Sequence, residues 1–204
     1  MAKHFSEEDK QVIKKKLLDE SKKMFEKQGI KKTSVDQIVE KAGIAKGTFY
    51  NFYSSKESLV FDLLMNIELE IHREGMNHLN KLAIAHKFPK AMEIYILKLF
   101  RYLENEPLLF ILNDSRQIQE IWMKISLKEQ QRSIYQDQRK IKDYINLANQ
   151  MGYKLKSSTN VFEATLRSFF FIYINQNMIG VECYESLELI VKSTLQNLFD
   201  TNEI

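Results

Sequence analysis

The stretch TSVDQIVEKAGIAKGTFYNFYSSKESL, residues 33–59, decides the fold. Thr33 or Ser34 is placed to cap a helix, and Gln37, three residues after Ser34, completes a capping box. Ile38, Val39 and Ala42 then fall on one helical side, and Gly43 supplies a stop. A short second helix is expected over 46–52. Ser54 and Glu57 have capping-box spacing for the next helix, which starts near residue 56 and carries Leu59, Val60, Leu63, Leu64, Ile67 and Ile71. Upstream, Ser6-Glu7-Glu8-Asp9 reads as another capping box, followed by Ile13, Leu17, Met24 and Phe25 and then Gly29. Two short helices around a glycine-containing turn, preceded by a supporting helix, make a helix-turn-helix. Its second helix fits a DNA major groove about 12 Å wide.

The charges point the same way. Residues 1–65 hold 13 Lys+Arg against 10 Asp+Glu, so the net charge of +3 lies entirely in the first third of the chain. Lys46 and Lys56 each fall in the first turn of a helix, where a cation meets the positive end of the macrodipole and costs about 0.3–1 kcal/mol. Phosphate oxygens are the groups such helix ends prefer. Phe49, one turn after Ala45, is expected to point inward. Lys46, Gly47, Thr48, Tyr50 and Asn51 are then left for the groove. Asn51 is suited to adenine and Lys46 to guanine, and Gly47 permits close backbone approach.

The run 33–59 resembles the N-terminal signature of the tetracycline-repressor (TetR) family. The resemblance covers roughly residues 8–65; beyond them only length and helical order agree. It implies DNA contacts at Lys46, Gly47, Thr48, Tyr50, Asn51 and Lys56, the last on phosphate. With Thr33 and Ser34 these make up the candidate DNA-binding set. The chain departs from the family pattern at Ala45, where a capping serine is frequent, and at Phe52, where a histidine is frequent.

The fold class expected is all-α, with an N-terminal three-helix helix-turn-helix domain (1–55), a connecting helix 4 over about 55–72, and a helical ligand-sensing and dimerisation domain (56–204). Further helices are expected near 89–105, from 107 to 151 with at least one break, and over 158–179 and 184–199. No strand alternation is sustained. Only six glycines and two prolines are present, too few for the turns of a many-stranded sheet protein.

Residues 66–204 contain eight Phe, seven Tyr, Trp122 and five of the eight Met. Most of these are core, and collectively they suit a pocket for an apolar or aromatic molecule. Tyr95, Phe110, Trp122, Phe169, Tyr173 and Gln176 are the candidate lining. The spacings of His72, His78 and His86 do not make a helical metal pair. Residues 169–174 are apolar all round, and Leu187, Ile190, Val191, Thr194, Leu195 and Leu198 form a seam. With Phe170 and Ile174 they are the candidate dimer interface, half of an intermolecular four-helix bundle as the resemblance implies.

The single Cys183 excludes an intramolecular disulfide framework. No segment has the length of a signal peptide or a membrane span, so a cytoplasmic location is expected. No phosphate-cradling loop, nucleophile elbow or distinct carboxylate pair is present, and neither an enzyme, a cofactor nor a metal is expected. The partners expected are an operator duplex, a small-molecule effector and a second copy of the chain. A DNA-binding co-regulator without a ligand, and a helix-turn-helix protein-interaction module, are the alternatives.

Overall fold

A computed structural model of the chain describes residues 6–104, 108 and 115–201. Phe110, a candidate lining residue, lies outside the described residues. The helices are α1 (Glu7–Lys32), α2 (Val35–Ala42), α3 (Lys46–Tyr50), α4 (Lys56–Ala85), α5 (Phe88–Leu103), α6 (Ser115–Lys124), α7 (Leu127–Gln150), α8 (Thr159–Ile174), α9 (Gln176–Ile179) and α10 (Cys183–Leu198). Two strands join them, β1 (Tyr153–Leu155) and β2 (Phe199–Thr201). The all-α class stands. The chain forms two compact units, residues 1–67 with 107–130 and residues 68–106 with 131–204. That division differs from the expected one at 55/56 because α4 and α7 are each continuous helices that supply residues to both units. α4 also runs to Ala85, well past residue 72.

In the N-terminal unit, Ser6 and Asp9 form the expected capping box on α1. Gly29 bends that helix rather than ending it. Its φ of 80° and ψ of 162° suit glycine alone, and helical hydrogen bonding resumes to Lys32. Ser34 and Gln37 cap α2 reciprocally, and Gly43 closes it in the left-handed conformation at φ 66°. The cap of α4 is Ser55, whose Oγ accepts from the Ser58 amide at 3.1 Å, instead of Ser54. Leu17, Ile38, Phe49 and Leu59 are fully buried in this unit.

In the C-terminal unit, α10 packs on α5 and α8. Leu79, Phe88, Met92, Phe100, Tyr144, Phe162, Leu187 and Leu195 belong to its core. The strands were not anticipated: β1 and β2 pair antiparallel with Leu155 opposite Phe199. Phe199 is thereby pinned edge-on against Phe88 (4.9 Å) and Phe162 (5.5 Å). Three-residue strands are too short for a period of two to register in sequence.

The dimer seam needs correction. Leu187, Val191 and Leu195 are buried within their own chain. Thr194, Leu198, Phe170 and Ile174 are half-buried, and of that set Ile190 alone is exposed. A spacing of three and four marks an apolar stripe but not which partner covers it. The outward stripes are Val161, Ala164, Ser168 and Phe171 on α8, and Leu189, Ile190 and Ser193 on α10.

Candidate nucleic-acid interface

The supporting frame of the helix-turn-helix is built from buried polar ties as well as apolar packing. Tyr53 donates its hydroxyl to the buried Asp62 carboxylate at 2.9 Å. Lys14 of α1 reaches the same carboxylate oxygen at 2.8 Å. One acid on α4 thus holds both the end of the α3 turn and the first helix. Losing either tie would take a hydrogen bond or a counter-charge from a buried carboxylate, which is costly.

Phe49 is fully buried, as its spacing predicts. Its ring meets Tyr50 edge-on at 5.3 Å and Tyr53 at 5.8 Å. With Phe49 inside, Lys46, Gly47, Tyr50 and Asn51 are exposed and Thr48 is half-buried. A Cβ at Gly47 would meet nothing within 4 Å, so the fold of the chain itself does not require glycine there. Ala45 caps α3 with no side-chain hydrogen bond, as expected from the missing serine.

The two lysines that stand against the helix dipole have partners inside the chain. Lys46 Nζ pairs with Asp36 Oδ1 of α2 at 2.8 Å, and that hydrogen bond raises its pKa. Lys56 Nζ donates to the carbonyls of Ile30 and Thr33, both at 2.8 Å, and closes the open C-terminal end of α1. Burial lowers its pKa. Two of the three ammonium hydrogens of Lys56 therefore serve the fold and one remains. Asp36 and the Lys56 tie were missed in the sequence, since both contacts join separate elements.

Ser34 is exposed at the N-cap of α2. Thr33 is buried: its hydroxyl donates to Gly29 O at 2.8 Å and accepts from Gln28 Nε2 at 3.1 Å. The Thr33 side chain is thus part of the α1 end and is not presented to an outside molecule.

The candidate pocket residues do not converge as a set. Tyr95 borders a cavity between α4 and α5. Phe169 and Tyr173 belong to the core, with Tyr173 stacked on Phe100 at 4.7 Å and 9°. Burial, with Glu104 and Tyr184 nearby, pushes the Tyr173 hydroxyl up to about 12. Gln176 is half-buried on α9, and Trp122 is partly exposed in the N-terminal unit. The lining residues Gly75, His78 and Lys98 escaped the sequence reading. The available signal was Gly75 itself, an unfavourable residue in a helix interior that points to close packing.

The fold and this exposed α3 face define an all-helical protein with an N-terminal helix-turn-helix. Residues 17–63 match the model for bacterial regulatory proteins of the tetR family. An uncharacterized HTH-type transcriptional regulator of Bacillus subtilis (strain 168), YvdT, is 38% identical over 52 residues. The match spans 26% of this chain and only 27% of that relative. A TetR-family transcriptional regulator of Pectobacterium atrosepticum has a similar fold, with a TM-score of 0.63 at 17% identity, covering 95% of this chain and 96% of that one. SmeT, the repressor of the Stenotrophomonas maltophilia multidrug efflux pump SmeDEF, is similar at a TM-score of 0.51 and 17% identity, over 92% of this chain and 90% of its own.

Proposed function

We propose that the chain is a ligand-responsive transcriptional repressor, working in the cytoplasm as a homodimer on a palindromic operator and released by a small apolar or aromatic effector. The observation that carries this reading is the outward face of α3. Lys46, Gly47, Tyr50 and Asn51 stand exposed around a helix anchored from behind by Phe49. A groove-reading helix needs this combination: a rigid seat and a polar, sterically open front. Lys56 and Ser34 flank it and supply donors for phosphate.

A single reading head per chain calls for a second copy to reach two half-sites. The surface suited to that copy is the exposed stripe of α8 and α10, where Val161 is 50%, Phe171 65% and Leu189 69% exposed. Small residues Ala164, Ser168 and Ser193 lie between these apolar ones and allow close helix approach. The role of SmeT as repressor of a multidrug efflux pump supports a small-molecule effector.

Fluorescence anisotropy of the full chain on duplex DNA from upstream of its own gene tests the reading. Saturable binding that exceeds binding to a scrambled duplex, at two protomers per site, is the expected result. Equal affinity for both duplexes contradicts it.

A further inference from the structure

Glycine at position 75 has a local cause. A Cβ there would sit 2.6 Å from Tyr95 Oη and 2.8 Å from Tyr95 Cε2, so the tyrosine ring lies directly on the α4 backbone. Beside this contact is a cavity of about 270 Å³ between α4 and α5. Ile71, Gly75, Tyr95 and Leu99 line it as apolar wall. Glu74 and Tyr102 stand at its exposed rim. Its volume lies just under the range of about 300–1,000 Å³ usual for ligand pockets, which limits the occupant to a compact molecule.

Two polar groups in the lining lack partners. His78 Nε2 is buried without a hydrogen bond among the described residues. Lys98 makes no ion pair among them. Burial first, then the nearby positive charges of Lys98 and Lys81, keeps the His78 pKa below its ordinary value. A buried nitrogen waiting for a partner beside an unpaired ammonium is a site that favours a hydrogen-bonding anion.

We propose that this cleft is the effector site and that it takes a small, flat aromatic molecule bearing an acidic group. The ring lies along Ile71, Leu99 and Tyr95, and the anion meets Lys98 and His78. The proposal rests on the effector reading above and names the site and the ligand class. Tyr95 is the element that registers occupancy. Its hydroxyl lies 3.1 Å from Tyr144 Oη, which lies 3.3 Å from His72 Nδ1. His72 Nε2 in turn meets Asp143 Oδ2 at 2.9 Å. Tyr95 has no free space on its Gly75 side, so a molecule pressing on its ring disturbs a polar chain that ties α4 to α7.

Titration calorimetry on the full chain with 2-naphthoate, and with 2-naphthamide as its uncharged match, tests the proposal. The carboxylate should bind at least tenfold more tightly than the amide, and Lys98→Met, at an exposed position that leaves the core intact, should remove that preference. His78→Gln should weaken the carboxylate several-fold. Equal binding of carboxylate and amide, or carboxylate binding insensitive to Lys98→Met, overturns the proposal. Absence of binding by either compound to protein that still holds operator also overturns it, and leaves the DNA reading standing. Lys98-dependent binding with no change in operator affinity keeps the site and refutes its role as an effector site.

Discussion

Lys56, at the first position of α4, donates its ammonium to the carbonyl of Thr33 at 2.8 Å, across the full length of the helix-turn-helix. With the second bond to Ile30, this contact seals the end of α1 against the start of α4. The same side chain is expected to hold a DNA phosphate with its remaining hydrogen. Lys56→Met should therefore have two effects: a stability loss of about 1–2 kcal/mol in urea unfolding, and a salt dependence of DNA binding shallower by about one unit. An unchanged slope would remove Lys56 from the phosphate contacts and leave it a purely structural tie.

Gly47 separates folding from recognition. Nothing approaches its missing Cβ, and alanine favours a helix over glycine by up to about 1 kcal/mol. Gly47→Ala should raise the melting temperature slightly and yet weaken operator binding at least tenfold, because the added methyl occupies space the DNA backbone needs. Unimpaired binding by a stabilised variant would place the groove elsewhere than at Gly47.

The outward stripe of α8 makes a prediction about assembly. Phe171 is 65% exposed, so Phe171→Asp removes little packing from the chain's own core. Sedimentation should show the wild-type chain as a dimer at micromolar concentration and the variant as a folded monomer. A variant that stays dimeric would rule out this stripe as the interface.

Acid should weaken the N-terminal unit through Glu129. Burial alone would push its carboxyl up, but hydrogen bonds from Ser58 and Ser126 outweigh that and hold it below its ordinary value of 4.5. A carboxylate whose pKa is lower folded than unfolded stabilises the fold fully above pH 4.5, and the benefit is lost as pH falls through the folded value. Ser58→Ala should thus lower the melting temperature more at pH 7 than at pH 3. An equal drop at both values would show that the Ser58 hydroxyl does not act through the carboxylate.

Legibility in the sequence followed distance along the chain. The Ser6–Asp9 and Ser34–Gln37 boxes, the Gly43 stop and the inward turn of Phe49 are relations within one helical turn or one cap, and local rules specify them. The Lys56 tie spans 26 positions to Ile30, and the Lys46–Asp36 pair joins two helices. Neither has a local signature. Thr33 is buried with its hydroxyl bonded back to Gly29 O, whereas its spacing in the sequence reads equally as a surface cap. Leu187, Val191 and Leu195 have the spacing of an intermolecular seam and of an internal one alike; packing against α5 and α8 decided between them. The cleft between α4 and α5 was hinted at only by Gly75, whose partner Tyr95 lies twenty positions on.

The central claim is that the exposed face of α3 reads base edges, and sequence preference measures this more directly than affinity does. Selection of bound duplexes from a randomised pool should give the wild-type chain a palindromic consensus. Lys46→Ala, which also frees Asp36, and Asn51→Ala should each relax the preference at their own symmetric pair of positions, at about 1–3 kcal/mol per base pair. Affinities that fall equally for all duplexes, with the consensus intact in both variants, would contradict the account.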